Sequence, residues 1–447
     1  MRPGSGALCG FLAADAISLA GTRLSQIAIP WLVLTTTGSA ARTGIVSFAE
    51  LAPLVLAQAL GGPLIDRAGP RRVAAAFDLA SAVAVAVIPL LYTAGRLDFP
   101  VLVGMVAVTG LLRGPSDAAH HAMVPSLVRH VGLPTERVTG LVGTIDRLSV
   151  LTGAAVAAAA VALLGPADAL LLDAGSFLVS AGILWVSTSR VVGAGPAGRR
   201  PAAHSPHAQL PPASDGHRPA YLEELAGGWH VLRRDPVLLG LMVMVAVTNL
   251  LDQGYTSVML PVWARESGGG PAAIGLLGAC MGGAALVGSL FATWKGERLP
   301  RFRTYVLGYL LAGAPRWIAM ALGMPLWAVA GVHVVAGFGA GFLNPVLGAV
   351  QFERIPERLM GRVSALSLAA SWSLMPLGGP AAGLAVASLG LAPALVLFGA
   401  AYFLTTMAPV LSPAWREMDR RTPIAPAQET PGSEPRSMEP SGRPTET

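Results

Sequence analysis

"GGPLIDRAGPRR", residues 61–72, separates two long apolar runs. "TGIVSFAELAPLVLAQAL" (43–60) precedes it and "VAAAFDLASAVAVAVIPLLY" (73–92) follows it. Each run is about the ~20 residues that a helix needs to cross the hydrocarbon core of a bilayer. The connection carries one acid, three arginines, and glycine and proline towards both ends. A short, charged, conformationally fixed segment between two apolar runs reads as the loop of a membrane hairpin.

The composition extends that reading to the whole chain. Of 447 residues, 53% are hydrophobic and only 13% charged, against roughly 25% charged in soluble domains. Twelve apolar segments follow one another at about 7–33, 42–62, 73–94, 99–122, 139–164, 167–189, 237–260, 271–294, 303–322, 325–350, 360–387 and 391–411. They are continuous rather than alternating, which excludes a β-barrel and predicts an all-α membrane protein. Their Gly, Ala and Pro content suits closely packed membrane helices. "MRPGSGALCGFL" lacks a cleavage pattern and reads as the start of the first span. Cys9 and Cys280 lie in separate runs without metal-ligand spacing and read as packing residues.

Four regions are expected: a six-helix bundle over 1–189, a cytoplasmic linker over 190–235, a second six-helix bundle over 236–411, and a disordered tail over 412–447. "YLEELAGGWHVLRRDP" (221–236) is expected to form an interfacial amphipathic helix. The net charge of +6 could suggest nucleic acid. Its distribution argues for topology instead. With both termini cytoplasmic, the outer loops carry only Arg42, Arg96 and Arg265, and the other arginines outside the spans fall inside. No nucleic-acid partner is expected.

An offset of 231 residues pairs Pro30 with Pro261, Gly38 with Gly269, Gly44 with Gly275, Gly110 with Gly341 and Pro125 with Pro356. Each pair holds the same place in its half, as in a transporter built from parallel repeats with its substrate site between them.

The loop from Gly62 to Arg72 resembles the G-x-L-a-D-r-x-G-r-[KR] signature of the major facilitator superfamily, at the place that family keeps it, between spans two and three. "IAIPWLVLTTTGSA" (27–40) and "LLDAGSFLVSA" (171–181) are similar to its twelve-span drug-efflux branch, which includes macrolide and enterobactin exporters. The resemblance covers all twelve spans and implies the major facilitator fold, two pseudo-symmetric six-helix bundles. Physically, Gly62 and Gly69 permit a tight reversal, and Asp66 can accept hydrogen bonds from a neighbouring helix N-terminus. With Arg67, Arg71 and Arg72, and with Arg358 and Arg362 at the start of span eleven, Asp66 would form a latch that closes the cytoplasmic side. For Arg71 and Arg72 a plain anchoring role is equally open. The second-half counterpart, "GSLFATWKGERLPRFR" (288–303), has Ala292 in place of the acid. The antiport-associated Gly-Pro signature of span five is reduced to Gly153-Ala154, while "PLGGPAAG" (376–383) keeps it in span eleven.

Charges inside spans face cavities or partners. Arg23 and Glu50 fall near mid-depth on adjacent antiparallel helices and are expected to pair, with Glu50 either a titrating carboxylate or half of a permanent ion pair. Arg113, Asp117, Asp146 and Arg147 are expected to form a network in the cytoplasmic half. Asn249 and Asp252 sit three apart on one helix face, and Asp252, with no cation near it in sequence, is a second proton or cationic-substrate site. Asn344 aligns with Arg113 at the 231 offset and would line the cavity with it. His333 reads as a packing histidine, His120 and His121 as residues of the cytoplasmic mouth, and Asp78 and Asp173 as capping or packing groups. None has metal-site spacing.

A secondary transporter follows as the expectation: proton-coupled export of amphipathic drug-like or siderophore-like small molecules, multi-pass in the bacterial cytoplasmic membrane and functional as a monomer. No G-x-x-x-x-G-K-[ST] motif offers ATP as the energy source. No cofactor is expected beyond the proton gradient. Symport-driven uptake and a non-transporting membrane receptor or scaffold are the alternatives. Nothing with catalytic spacing points to an enzyme.

Overall fold

The computed structural model describes residues 5–189, 229–230, 232–295, 300–355 and 359–416. Twelve membrane crossings account for nearly all of these. The first six are Ser5–Thr37, Ala40–Leu60, Pro70–Thr93, Phe99–Val131, Thr135–Leu164 and Pro166–Ser187. The seventh is Pro236–Glu266, the eighth Gly270–Lys295, the tenth Leu326–Arg354 and the twelfth Leu391–Met407. Ser5 and Met407 lie at the same end of the bundle, called here the terminal end; the turns after odd-numbered spans lie at the far end. Each far-end reversal passes through a glycine at positive φ: Gly38, Gly95, Gly165, Gly268, Gly323 and Gly390.

The charged segment between spans two and three is itself helical. Gly62–Ala68 forms a short helix, and the reversal falls at Gly69, whose φ of 86° favours glycine, before Pro70 starts the third span. Gly62 was expected to share that turn. It sits instead inside the short helix, with open space where a Cβ would project.

Only 11 of the described helices are individually long and apolar enough to cross a membrane. The ninth crossing is divided into Arg301–Ala312 and Ala314–Ala321, because Gly313 leaves helical geometry (φ −85°, ψ −115°) and Pro315 has no N–H to continue the ladder. Two other second-half crossings are also irregular. The seventh contains a π-helical turn over Tyr255–Met259. The eleventh runs Met360–Ser373, breaks through a 3₁₀ turn at Met375–Leu377 and resumes as Gly378–Leu389.

The chain departs from the expected tail boundary at 412. Pro413–Arg416 is a short helix that buries Trp415 against Tyr305, ring centroids 5.3 Å apart. The expected linker and most of the amphipathic segment over 221–236 lie outside the described residues, as does the tail beyond 416. Cys9 is exposed rather than packed.

Small residues set the helix crossings. At Gly110 a Cβ would lie 2.1 Å from the Glu50 carbonyl oxygen, and at Gly114 2.6 Å from that of Leu54. Span four thus lies directly on span two. Gly337 and Gly341 repeat the contact in the second half, against Met281 and Ala285. Glu50 and Leu54 correspond to Met281 and Ala285 at the 231 offset. The glycines, however, correspond at 227, one helical turn earlier. The expected equivalence of Gly110 with Gly341 is therefore displaced by a turn, and Arg113 matches Ala340 rather than Asn344. Gly110→Val should abolish recovery of monodisperse protein in size-exclusion chromatography, since the clash is with backbone. Gly104→Ala, where a Cβ meets open space, should match wild type.

The two halves meet at the far end. Span two packs on span eleven through Gly44, Gly379 and Gly383, and span eight on span five through Gly275 and Gly278 against Ala158 and Ala154. Gly44 and Gly275, 231 residues apart, make equivalent crossings. Arg265 Nη1 donates to the Leu34 carbonyl at 3.0 Å, again 231 residues away, so this contact lies near the pseudo-two-fold axis. The apolar core shows the same division. Ile27, Trp31, Leu34 and Ala40 of the first half join the second-half core around Met259, Trp263 and Ala382. At the terminal end the cores are separate: one holds Phe11, Ile65, Met123 and Leu184, the other Leu232, Leu238, Ile355 and Val363.

Candidate functional site

Three groups of charged side chains sit inside the bundle. In the first half the glycine notch at 110–114 brings Arg113 Nη1 within 3.4 Å of Glu50 Oε1. Both side chains are buried, and the guanidinium stands 5.9 Å from the Phe177 ring centroid. Glu50 therefore pairs with span four, not with Arg23 as expected. Arg23 Nη1 instead donates to Gln26 of its own helix at 2.8 Å. Gly153, in the degraded span-five signature, accommodates its stem: a Cβ there would lie 2.7 Å from Arg23 Cγ.

Of the expected four-residue network, Asp117 lies close enough to Arg113 for their charges to interact, Arg113 also pairs with Glu50, and Arg147 is exposed. Asp117 and Asp146 also face Arg23 closely enough to attract its charge.

The second-half group was only partly foreseen. Asp252 accepts a hydrogen bond and ion pair from Arg316 Nη2, across from span seven to the broken ninth span. Arg316 is enclosed by the rings of Tyr255, Trp317 and Tyr402, its Cζ 5.0, 5.4 and 5.4 Å from their centroids. The Asp252 carboxylate stays 38% exposed while the Arg316 side chain is 4% exposed. The break at Gly313 and the π turn after Gly254 flank this pair, in keeping with the frequent siting of such irregularities where function needs them. Asn249 does not act with Asp252. Its amide donates 3.0 Å to the Ser371 carbonyl, tying span seven to span eleven. His333 is a satisfied core residue, with Nδ1 2.8 Å from the Val329 carbonyl and Nε2 2.7 Å from the Tyr255 hydroxyl.

The third group contains residues that the sequence reading passed over or placed elsewhere. His120 is buried, not at the mouth. Its Nδ1 lies 3.1 Å from Asp15 Oδ1 and its Nε2 3.4 Å from Asp78 Oδ2. Asp78 also accepts from the Ser116 and Ser180 hydroxyls. Asp173, similarly buried, accepts from Ser25 and Ser176.

Of the loop residues, Asp66, Arg67 and Arg72 are exposed, and Asp66 makes no hydrogen bond or ion pair with a described residue. Arg71 is engaged within its own half, donating from Nη2 to the Trp185 carbonyl and lying 4.5 Å over the Trp185 ring. Of its two expected roles, latch and anchor, the anchor is the one this state displays. Arg358 and the side chains of Arg362 and Asn344 lie outside the described residues. Among the described residues no His, Cys, Asp and Glu cluster could hold a metal ion.

Twelve crossings, two repeated halves and charged groups held at the crossings' interior define a polytopic membrane transporter of small molecules, not an enzyme. The chain belongs to the Major Facilitator Superfamily, whose model matches it twice, over residues 11–252 and 242–442. It is similar to the multidrug efflux pump Tap of Mycobacterium tuberculosis (strain ATCC 25618 / H37Rv), 27% identical over 411 residues that cover 91% of this chain and 94% of that protein. The multidrug efflux pump Tap of Mycolicibacterium fortuitum is 28% identical, covering 90% and 94%. Among solved structures, the nucleoside transporter NupG matches 93% of this chain and all of its own at a TM-score of 0.69 and 10% identity; it shares the fold.

Proposed function

We propose that this chain exports amphipathic small molecules across the bacterial cytoplasmic membrane, with both termini cytoplasmic and a proton gradient as the energy source. The observation that carries the transport cycle is the distribution of contact between the halves: glycine-mediated crossings at the far end, separate cores at the terminal end. With the terminal end cytoplasmic, this is an inward-facing state. Asp66 then stands without a described partner because the latch is open. The outward-facing state would close the terminal end and bring Asp66 towards the start of span eleven. The Asp252 carboxylate, 38% exposed and ion-paired with Arg316 beside three aromatic rings, offers a polar anchor next to apolar surface, which suits an amphipathic molecule, and the Tap relatives, named as multidrug efflux pumps, agree with such a substrate. One chain contains both halves of the path, so a monomer suffices, and neither a cofactor nor a nucleic-acid partner enters the cycle.

The test is a toxic-compound susceptibility panel in an efflux-deficient host, comparing wild type with Asp66→Ala at matched membrane abundance. Wild type should protect against amphipathic toxic compounds. Asp66→Ala should lower that protection about tenfold, inside the roughly 5–150-fold range of conformational couplings. Wild type that protects no better than empty vector would sink the export reading.

A further inference from the structure

We infer that Asp15, His120 and Asp78 form the proton-binding site of the transport cycle, an inference that rests on the proton-coupled reading above. A neutral imidazole has one N–H and one bare nitrogen. Here both ring nitrogens face carboxylate oxygens, Asp15 Oδ1 at 3.1 Å and Asp78 Oδ2 at 3.4 Å. Two such contacts are satisfied together only if both nitrogens carry hydrogen, or if one carboxyl does. Either way the cluster holds one proton more than a neutral ring between two carboxylates.

The burial is graded. The Asp78 side chain is fully enclosed, that of His120 6% exposed and that of Asp15 10% exposed. Asp78 has its remaining acceptor capacity filled by Ser116 and Ser180, which hold it in place from spans four and six. A cleft of about 570 Å³ opens between spans four and five, lined by His121, Pro125, Arg129 and Asp146. Asp146 is close enough to Asp15 for their charges to interact.

The other charged groups around His120 do not neutralise it. Asp117 and His121 lie on its own helix, and Asp117 adds a further carboxylate close enough for its charge to interact with His120, Asp78 and Arg113. Arg113 pairs with Glu50 of span two, and Asp66 and Arg67 of the short helix are exposed. Span six contributes hydroxyls here, with Asp173 held by Ser25 and Ser176.

Release of the proton leaves a bare ring nitrogen against a carboxylate oxygen and raises the enclosed charge from −1 to −2. Both effects oppose the packing of spans one, three, four and six at the terminal end. The proton is therefore bound in the state described here. Its departure loosens the packing that the opposite state must rearrange, and that is the coupling.

Two measurements on the full chain test this. In purified protein carrying labelled histidine, His120 is assigned by its loss in His120→Gln. Its ¹⁵N shifts should show two protonated ring nitrogens at neutral pH in wild type, reverting to one in Asp78→Asn or Asp15→Asn. In proteoliposomes loaded with ethidium, an imposed pH gradient should accelerate wild-type export about tenfold. Asp78→Asn and Asp15→Asn should lose that acceleration and keep downhill ethidium movement. The two variants are used together because either alone could fail to fold, which size-exclusion profiles reveal. A neutral ring beside two ionised carboxylates in wild type overturns the proposal, as does gradient response intact in a folded variant. Wild type that moves ethidium without regard to the gradient overturns proton coupling itself, and is read separately from the histidine spectra.

Discussion

Arg113→Gln should remove most folded protein from detergent extracts, and Glu50→Gln/Arg113→Gln should restore much of it. Glu50 is 8% exposed and Arg113 4% exposed, so neither can exchange its partner for water. Removing one member of a buried ion pair costs about 3–5 kcal/mol, because a charge is left uncompensated, whereas removing both charges is often close to neutral. Against a total stability of about 5–15 kcal/mol for a typical domain, the single change is severe. The notch at Gly110 aggravates it: span four lies too close to span two for the helices to part and admit water easily. Arg113→Lys should fall between, keeping the charge but losing the planar group over Phe177. The readout is the monodisperse fraction in size-exclusion chromatography with a thermal unfolding midpoint. A double variant as damaged as the single one would show that Arg113 is needed for its own packing, and a stable Arg113→Gln would show that Glu50 is neutral. Rescue by the double variant would make Glu50 and Arg113 a fixed structural pair, with Arg113 in the place expected of Arg23, rather than Glu50 a titrating carboxylate.

Much of the fold was legible because the membrane imposes long apolar runs, and the charged loop at 61–72 marks a boundary between two of them. What the sequence does not carry is rotation about each helix axis. Arg23 and Glu50 share a depth, which made them natural partners. Yet the glycine face of span four sits against Glu50, and Arg23 points towards Gln26 and Gly153. A 231-residue register held for spans two and eight and slipped by one turn for spans four and ten, because insertions in a loop move a helix along its axis without disturbing its apolar pattern. Asp252 finds Arg316 from 64 residues away; the hint was an arginine in an otherwise apolar span, next to a Gly-Ala-Pro break that leaves it on a short helix. His120 looked like a mouth residue because its helix continues well past the bilayer's thickness, and its two carboxylate partners come from separate spans.

The halves are repeated in topology but divided in chemistry. The first keeps regular crossings and holds its charges as buried pairs and a carboxylate–imidazole cluster. The second interrupts crossings seven, nine and eleven and places the buried Arg316 inside an aromatic enclosure beside a partly exposed acid. On the functional reading proposed above, this division would separate the proton from the transported molecule while leaving both on the moving parts.

Locking the far end should stop transport almost completely. A Cβ placed on Gly278 would lie 3.2 Å from the Ala154 Cβ, slightly inside the ~3.5–4.5 Å span of a disulfide, so Ala154→Cys/Gly278→Cys can cross-link after a small adjustment. The pair joins span five of one half to span eight of the other, at the crossing that must open if the far end is to release substrate. Cys9 and Cys280 are first replaced by serine, since Cys280 lies two residues from the engineered site. Oxidation should then reduce ethidium export from proteoliposomes about a hundredfold, the upper part of the range that a population shift between two states can produce. Reduction should restore export, and either single cysteine variant should be indifferent to oxidant. Serine at both positions controls for the clash at Gly278. If export persists when electrophoresis shows the cross-link complete, the far-end crossing does not open during transport, and alternating access about this interface is wrong. If oxidation gives no cross-link, the two spans spend their time apart, and the closed far end is a minor state of the working protein.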